Sequence, residues 1–392
     1  MSFDERPVRE APGSATSLRA ANTQRVLDLL LSRGHDRVSQ ADISRETGLA
    51  TGTVSSIVRE LAAAGVVSTV AGSGRRSTTV RLARGAGLAV GIDFGHTHLA
   101  VAVGDMAGGI LAETREPADG DQAAERALDR VAELVAGLLT QVSASSAEVR
   151  TVGMGLPAPL SDGVVMSSAI LPGWVGVNAR ELARQRLGFD VRVENDANLG
   201  ALAEHRRGAG QGHDDLVYVK ASSGVGAGLI LGNVLVRGAR GTAGEIGHLT
   251  LDEQGPLCRC GSRGCLEAYA SSGTALRMMS EQMPGATIDE IITAARGGNV
   301  SALRVFEDAG LHLGWAIAAV TNLVNPGLIV VGGDMARADD LLLESARLGL
   351  RRHVLAGATA TPVVVGDLGD RASLIGALVL AIEATDLLPD QA

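Results

Sequence analysis

Only one of the 35 basic residues in this 392-residue chain is a lysine, Lys220. That asymmetry reads as a bias of nucleotide composition rather than a feature of function. Aromatic residues make up just 2% of the chain, so its cores must be built from Ala, Val, Leu and Ile; hydrophobic residues still reach 46%. At this length that suffices for two or three packed domains. Cysteine is scarce too, with all three residues (Cys258, Cys260 and Cys265) falling inside eight positions. An odd count with no secretory segment ahead of it argues against a disulfide framework. No run of eighteen apolar residues occurs, and the nearest candidate, residues 311–331, is broken by Asn322, Asn325 and Pro326. A membrane span is therefore not expected. The first twenty residues are polar and charged, unlike a signal peptide, which points to a soluble cytoplasmic protein.

What is abundant is glycine, with 51 residues. That is too many for a helical bundle and suits an α/β chain with tight strand–helix turns. The charge is unevenly spread. Residues 19–84 carry ten Arg against five Asp or Glu, a net of +5, while the chain as a whole is −9, leaving −14 for the rest. A basic head on an acidic body directs the head towards a polyanion.

Residues 1–17 lack any hydrophobic period and read as a mobile tail. A helix is expected over 18–32, with Val26, Leu27, Leu29 and Leu30 as its apolar face. Ser39-Gln-Ala-Asp42 has the pattern of a capping box opening a short second helix. After the turn at Gly48, a third helix is expected over 51–64, burying Val54, Ile57, Val58 and Leu61. Two β-rich runs, 66–70 and 78–82, flank residues 71–77, which form a basic hairpin tip. This order predicts a winged helix-turn-helix over 18–84 that binds a double-stranded DNA operator. The outward residues Thr51, Thr53, Ser55, Ser56 and Arg59 of its third helix would face the major groove, with Arg75 and Arg76 on the wing. The alternative is a small dimerisation or docking module.

Beyond a short Gly-containing link at 84–87, strands are expected at 88–93, 99–103, 108–113, 149–156 and 191–194, with a long helix over 121–142. Asn195-Asp196-Ala-Asn198 then opens a helix through His205. The same grammar recurs from Leu216, with helices near 272–282, 287–295 and 300–323 and a strand at 328–331. Strand–turn–strand followed by helix, written twice, predicts two similar lobes with a cleft between them. The expected division is 88–200, with a C-terminal helix at 372–386 returning to it, and 201–371.

The cysteines sit beside Glu245-Ile-Gly-His248 and just ahead of Glu267. One imidazole and three thiolates, from His248, Cys258, Cys260 and Cys265, form the soft donor set that tetrahedral structural zinc prefers. Such a metal would staple a loop that presents the carboxylates of Glu245 and Glu267. The alternatives are three unrelated thiols and a solvated acidic loop.

Four motifs resemble the ROK family of sugar kinases and sugar-responsive repressors: Ile92-Asp-Phe-Gly-His-Thr97, Glu194-Asn-Asp-Ala-Asn198, Gly244-Glu-Ile-Gly-His248 with the cysteine cluster, and Val331-Gly-Gly-Asp334. The resemblance covers residues 87–384 and implies a two-lobed, actin-like α/β ATPase fold. It also implies a sugar site at Asn195, Asp196, Glu245, His248 and Glu267. His248 would bind zinc through one ring nitrogen and reach the sugar with the other. Asp196 would be the catalytic base if the protein is a kinase; its plain alternative is a helix N-cap. Phosphate and nucleotide contacts would fall to Asp93, Gly95, Thr97, Gly224, Gly226, Gly332 and Gly333, with ATP and Mg²⁺ required only for kinase activity. Here the chain departs from the family: His96 replaces a glycine of the first loop and Ser222 one of the second, while Ile170 stands where many members carry Asn before Leu-Pro-Gly-Trp174. A side chain at a φ > 0 glycine site costs about 1 kcal/mol. With a DNA-binding head attached, the layout implies a sugar-responsive repressor acting as a homodimer or homotetramer. The other readings are a bifunctional sugar kinase and a sugar-blind, zinc-stabilised DNA-binding protein.

Overall fold

The computed structural model describes residues 15–70, 78–118, 120, 122–167, 170–358 and 360–388. The wing tip with Arg75 and Arg76, and all but the end of the tail at 1–17, lie outside the described residues.

The head opens with α1 (Ala15–Arg33), whose Val26, Leu27 and Leu30 are fully buried. A two-residue strand, β1 (Val38–Ser39), leads into α2 (Gln40–Thr47), where the Ser39 side chain accepts a hydrogen bond from the Asp42 amide at 3.1 Å. Gly48, at φ 71°, ends α2 in the left-handed region that lets the chain turn at once into α3 (Thr51–Ala63). The apolar face of α3 is the expected one: Val54, Ile57, Val58 and Leu61 are buried. Strands β2 (Val67–Val70) and β3 (Thr79–Leu82) pair antiparallel, and β3 also takes β1 on its other edge.

The head is not loosely tethered. Its core runs on into the body through Ala100, Ala102, Met106, Leu378 and Ile382. The link at 84–87 is a short 3₁₀ turn pinned at both ends. Arg84 Nη2 donates to the Val142 carbonyl at 2.7 Å, and Arg150 Nε donates to the Ala86 carbonyl.

The body contains two five-stranded sheets of the same design. The first is built from β4 (Leu88–Phe94), β5 (His98–Asp105), β6 (Ile110–Pro117), then α4 (Ala124–Gln141), β7 (Val149–Leu156), a small hairpin β8 (Leu160–Ser161) and β9 (Val164–Val165), α5 (Ala179–Leu187) and β10 (Val191–Asn195). After α6 (Asp196–Arg207) come β11 (Leu216–Ala221), β12 (Val225–Leu231) and β13 (Val234–Leu235). The chain then runs through α7 (Glu267–Ala270), α8 (Ser272–Met279), α9 (Ile288–Arg296), α10 (Val300–Val324), β14 (Leu328–Gly332), α11 (Asp340–His353), β15 (Val363–Val365) and α12 (Ala372–Ala384). Sheet orders are β10-β7-β4-β5-β6 and β13-β12-β11-β14-β15. In each, an antiparallel three-stranded meander is extended by two parallel strands. The duplication read from the sequence is therefore present in the hydrogen-bonding pattern itself.

The helices that follow the two sheets, α6 and α12, cross between them. Helix α12 packs on β4 and β7, while α6 packs on β11 and β12. The crossing is close because glycine permits it: a Cβ on Gly376 would lie 2.0 Å from the Leu199 carbonyl oxygen. On the outer layer, α10 and α11 approach through Gly314 and Gly349. Among the described residues no helix is long and apolar enough to cross a membrane.

Several elements depart from the sequence expectation. The third strand begins two residues later and runs to Pro117, because its outer half is polar on both faces and carries no alternation. Helices α5 and α11 were not expected; α11 crowds apolar residues onto several faces and its first cap residue, Asp339, makes no side-chain cap. The helix expected over 121–142 starts at Ala124, and Asp121 lies outside the described residues.

Candidate functional site

The junction of β10 and α6 sets the chemistry. Asn195 is the N-cap: its Oδ1 accepts from the amides of Ala197 (2.9 Å) and Asn198 (3.2 Å), and its Nδ2 donates to the Ala158 carbonyl (3.2 Å). The cap is thus supplied by Asn195, and Asp196 is free of that duty. Its Oδ2 instead accepts from Lys220 Nζ at 2.7 Å, and its Oδ1 has no hydrogen-bond partner among the described residues. Lys220 rises from β11 and also reaches Ser373 Oγ at 3.2 Å, at the start of α12; that hydroxyl donates to the Asp196 carbonyl. One ammonium therefore joins three elements that meet between the sheets.

Asp93, at the end of β4, faces the same charge. Its Oδ2 lies 3.0 Å from His98 Nε2, and its buried Oδ1 has no partner among the described residues. Burial raises the Asp93 carboxyl, but the His98 hydrogen bond and the nearby Lys220 outweigh it and hold the group below the usual carboxylate range. For Lys220, burial favours the neutral amine, but Asp196 and Asp93 overcome it, so the ammonium is retained. The sole lysine of the chain is thus a central charge of the cleft. Its signal in the sequence was a lone cation inside an apolar strand, Leu-Val-Tyr-Val-Lys-Ala.

The loop between β13 and α7 comes near Asp196, close enough for its Glu245 to feel that charge. His248, Cys258, Cys260 and Cys265 place one donor atom each within 4.8 Å of one another. Cys258 Sγ to His248 Nδ1 is 3.9 Å, and Cys260 Sγ to Cys265 Sγ is 3.7 Å. Four ligands at zinc–sulfur bond lengths span tetrahedral edges of about 3.5–3.8 Å. The donor set and its spacing fit a tetrahedral thiophilic ion.

The two flanking glutamates differ in their partners. Glu267 is 8% exposed; its Oε1 accepts from Arg259 Nε (3.1 Å) and Nη2 (2.9 Å), and its Oε2 from the Val225 amide (3.1 Å). Burial, then the charges of Asp196 and Glu267, push the Glu245 carboxyl up to about 7. That mutual influence puts Asp196, Glu245 and Glu267 around one space. Glu194, which precedes the cap, is committed elsewhere: it accepts from Asn198 Nδ2 and from Arg237. Arg237 and Ser373 carried no signal in the sequence, because each acts through a partner far along the chain, and Arg259 carried none because its bond to Glu267 depends on how the loop folds back.

The glycine turns are only partly open. Gly95 lies beneath the His98 ring, while His96 and Thr97 are exposed on the same turn. Gly224 borders Glu267 Oε2, and Gly226 borders Ala197. At the last turn the Ser222 hydroxyl accepts from the Asp334 amide at 3.0 Å, and a Cβ on Gly333 would come within 2.7 Å of it. The amide that begins the 3₁₀ turn after Gly332 and Gly333 is therefore already taken by a side chain that a glycine at 222 would not supply. Ile170, beside the cleft, packs against the core of the first sheet.

In the head, Thr51 and Arg59 are exposed on α3 and Thr53 and Ser55 half-buried. Ser56 donates to Glu60 Oε1 and accepts from Arg19, which also pairs with Glu60. Of the five residues expected to face DNA, Ser56 is thus engaged within the head. Ala50 caps α3 without a side-chain bond, leaving first-turn amides open to a phosphate.

Residues 89–384 match the ROK family, and residues 19–68 match a winged helix-turn-helix DNA-binding family. The xylose repressor of Bacillus subtilis (strain 168) is 27% identical over 94% of this chain and 96% of its own length. Among solved structures, a ROK family transcriptional regulator described as a homolog of the E. coli MLC protein superposes with a TM-score of 0.78 at 26% identity, covering 93% of this chain and 96% of that one. A ROK family glucokinase from Streptomyces griseus, in complex with glucose and AMPPNP, gives a TM-score of 0.68 at 32% identity over 76% of this chain and 100% of that one.

Proposed function

This chain belongs to the ROK family, and from that premise we propose that it is a transcriptional repressor released from its operator by a sugar. The observation that carries the reading is where α6 begins and ends. Its first residue, Asp196, lies in the cleft with Glu245 and Glu267, and its last, Arg207, lies against the head. Arg207 Nη2 donates to the Ala107 carbonyl at 2.9 Å, and its guanidinium packs on Gly34 at the end of α1. A rigid helix of this length spans about 18 Å, so a shift at the sugar end is delivered to the base of the DNA-binding head.

In this reading Asn195, Asp196, Glu245, His248 and Glu267 receive the sugar hydroxyls. Zinc, held by His248, Cys258, Cys260 and Cys265, would fix the loop and the His248 tautomer. In a homodimer or homotetramer the third helices, through Thr51, Thr53, Ser55 and Arg59, would occupy successive major grooves, with Arg75 and Arg76 on the wings. Sugar binding closes the lobes around the α6–α12 crossing and moves the heads off the operator spacing. Moving the population from bound to released requires the sugar to favour one arrangement by about 3–5 kcal/mol. The similarity to a xylose repressor and to a glucokinase makes D-xylose and D-glucose the first probes.

A second reading, a sugar kinase with a DNA-binding head, is favoured by the Asp196 Oδ1 left unbonded in the cleft. Against it stand the Ser222 hydroxyl on the Asp334 amide and His96 in the first loop. The two separate on one plate: the zinc-loaded protein with ATP, Mg²⁺ and a panel of pentoses, hexoses and N-acetylhexosamines, read for melting temperature and ADP. The sensor predicts a stabilising sugar without turnover. Sugar-dependent ADP release that vanishes in Asp196→Asn establishes the kinase instead, and no response to any sugar leaves the sugar-blind protein.

A further inference from the structure

We propose that Arg259 is a positioning residue that ties the metal-site loop to Glu267 and to the second glycine loop, so that metal occupancy sets the order of the sugar-facing carboxylate. The proposal rests on the sugar-sensor reading for its consequence, but its geometry stands independently. Arg259 is the residue between Cys258 and Cys260, so its backbone is fixed by a metal-site cysteine on either side. Its Nε and Nη2 both donate to Glu267 Oε1, at 3.1 and 2.9 Å, and Nη2 also donates to the Ser223 carbonyl at 2.6 Å. Because one carboxylate oxygen takes both guanidinium bonds, the other is left to accept the Val225 amide at 3.1 Å.

One planar fork thus joins three pieces of chain: the metal loop, the first residue of α7 and the loop between β11 and β12. Among the described residues Arg259 is the only ion-pair partner of Glu267. The approach depends on Gly224, where a Cβ would stand 2.9 Å from Glu267 Oε2. A lysine could supply charge but not two directed donors together with a third to the Ser223 carbonyl. If the metal leaves, Cys258 and Cys260 are no longer held, the fork loses its anchor, and Glu267 and the Val225 amide are released together.

The test is hydrogen exchange by mass spectrometry on peptides covering residues 219–229 and 264–270, in the full-length protein. Wild type, Arg259→Ala and Arg259→Lys are each compared zinc-loaded and chelated. Loss of charge-assisted hydrogen bonds predicts exchange at Val225 faster by about tenfold or more. In wild type that acceleration follows chelation. In Arg259→Ala it is present already with zinc bound, and chelation adds little, while Arg259→Lys lies between. Both variants are expected to retain one zinc per chain. Wild-type protection in zinc-loaded Arg259→Ala overturns the assignment, as does loss of zinc from both variants, since Arg259 would then serve only the metal loop itself. Titration with D-xylose and D-glucose is read in parallel. Failure of the whole panel of pentoses, hexoses and N-acetylhexosamines to bind wild type removes the sensor reading while leaving the exchange result to decide the role of Arg259.

Discussion

Replacing Lys220 by Met removes the one cation shared by Asp196 and Asp93 while keeping a similar aliphatic volume. At 2.7 Å the Coulomb attraction to Asp196 alone is about 6 kcal/mol at an effective dielectric of 20, but desolvation of both partners offsets much of it. What the substitution measures is the cost of leaving carboxylates buried without their cation, about 3–5 kcal/mol. Asp93 is held below the usual carboxylate range in the native protein. Its contribution is therefore present above its unfolded pKa and lost as pH falls through the native value. In Lys220→Met the buried carboxylates can relieve themselves by taking up protons, so the deficit should be largest at pH 7.5 and shrink towards pH 4.5. Urea titrations of both proteins at these two pH values give the difference directly, and the thermal midpoint should fall by about 6–15 °C. A loss below about 1 kcal/mol at pH 7.5, or one that does not change with pH, would refute the assignment of Lys220 as the charge that unites the cleft.

The carboxylates of Asp196 and Asp93 keep Lys220 protonated and so make it a poor nucleophile: an amine-acylating reagent should leave it unmodified in the folded protein and label it fully in urea, as mass spectrometry would show. Chelation should strip one zinc per chain and lower the melting temperature by several degrees, reversibly, and Cys265→Ser should abolish both binding and its effect; protein that gains no stability from added zinc would count against the site. Glu245, raised to about 7, prefers its neutral form in the fold, so its ionisation weakens the protein as pH climbs from the unfolded value through 7. Glu245→Gln should therefore be more stable than wild type at pH 8 by about 1–3 kcal/mol, with the difference closing by pH 5.

Much of this molecule was legible in its residues because its signals are local. The apolar period of α3 and the turn at Gly48 needed no distant partner, and neither did the capped start of α6 or the spacing of the four thiophilic donors. The twofold strand grammar was equally local, and it forecast the paired sheets. What stayed hidden depends on tertiary placement. Lys220 looked like the residue of a compositional bias until β11 set it between β4 and α6. Arg259 looked like filler between two cysteines until the loop folded back over Gly224. The capping alternative weighed for Asp196 belongs instead to Asn195, a neighbour with equal propensity, and only backbone geometry separates the two. The role of α6 as a link between cleft and head could not be read at all, because Arg207 and Gly34 are joined through a core that the head shares with the body.

If a sugar bound in the body loosens the head from DNA, fluorescence anisotropy of a labelled duplex reads the change. The duplex would carry the near-palindromic sequence nearest the gene, titrated with protein in the presence and absence of whichever of D-xylose or D-glucose raises the melting temperature. Tight, salt-sensitive binding that the sugar weakens at least tenfold, about 1.4 kcal/mol, is the expected result. Glu267→Gln should keep the DNA affinity and lose the response. DNA affinity unchanged by a sugar that demonstrably binds the wild-type protein would contradict release by a sugar.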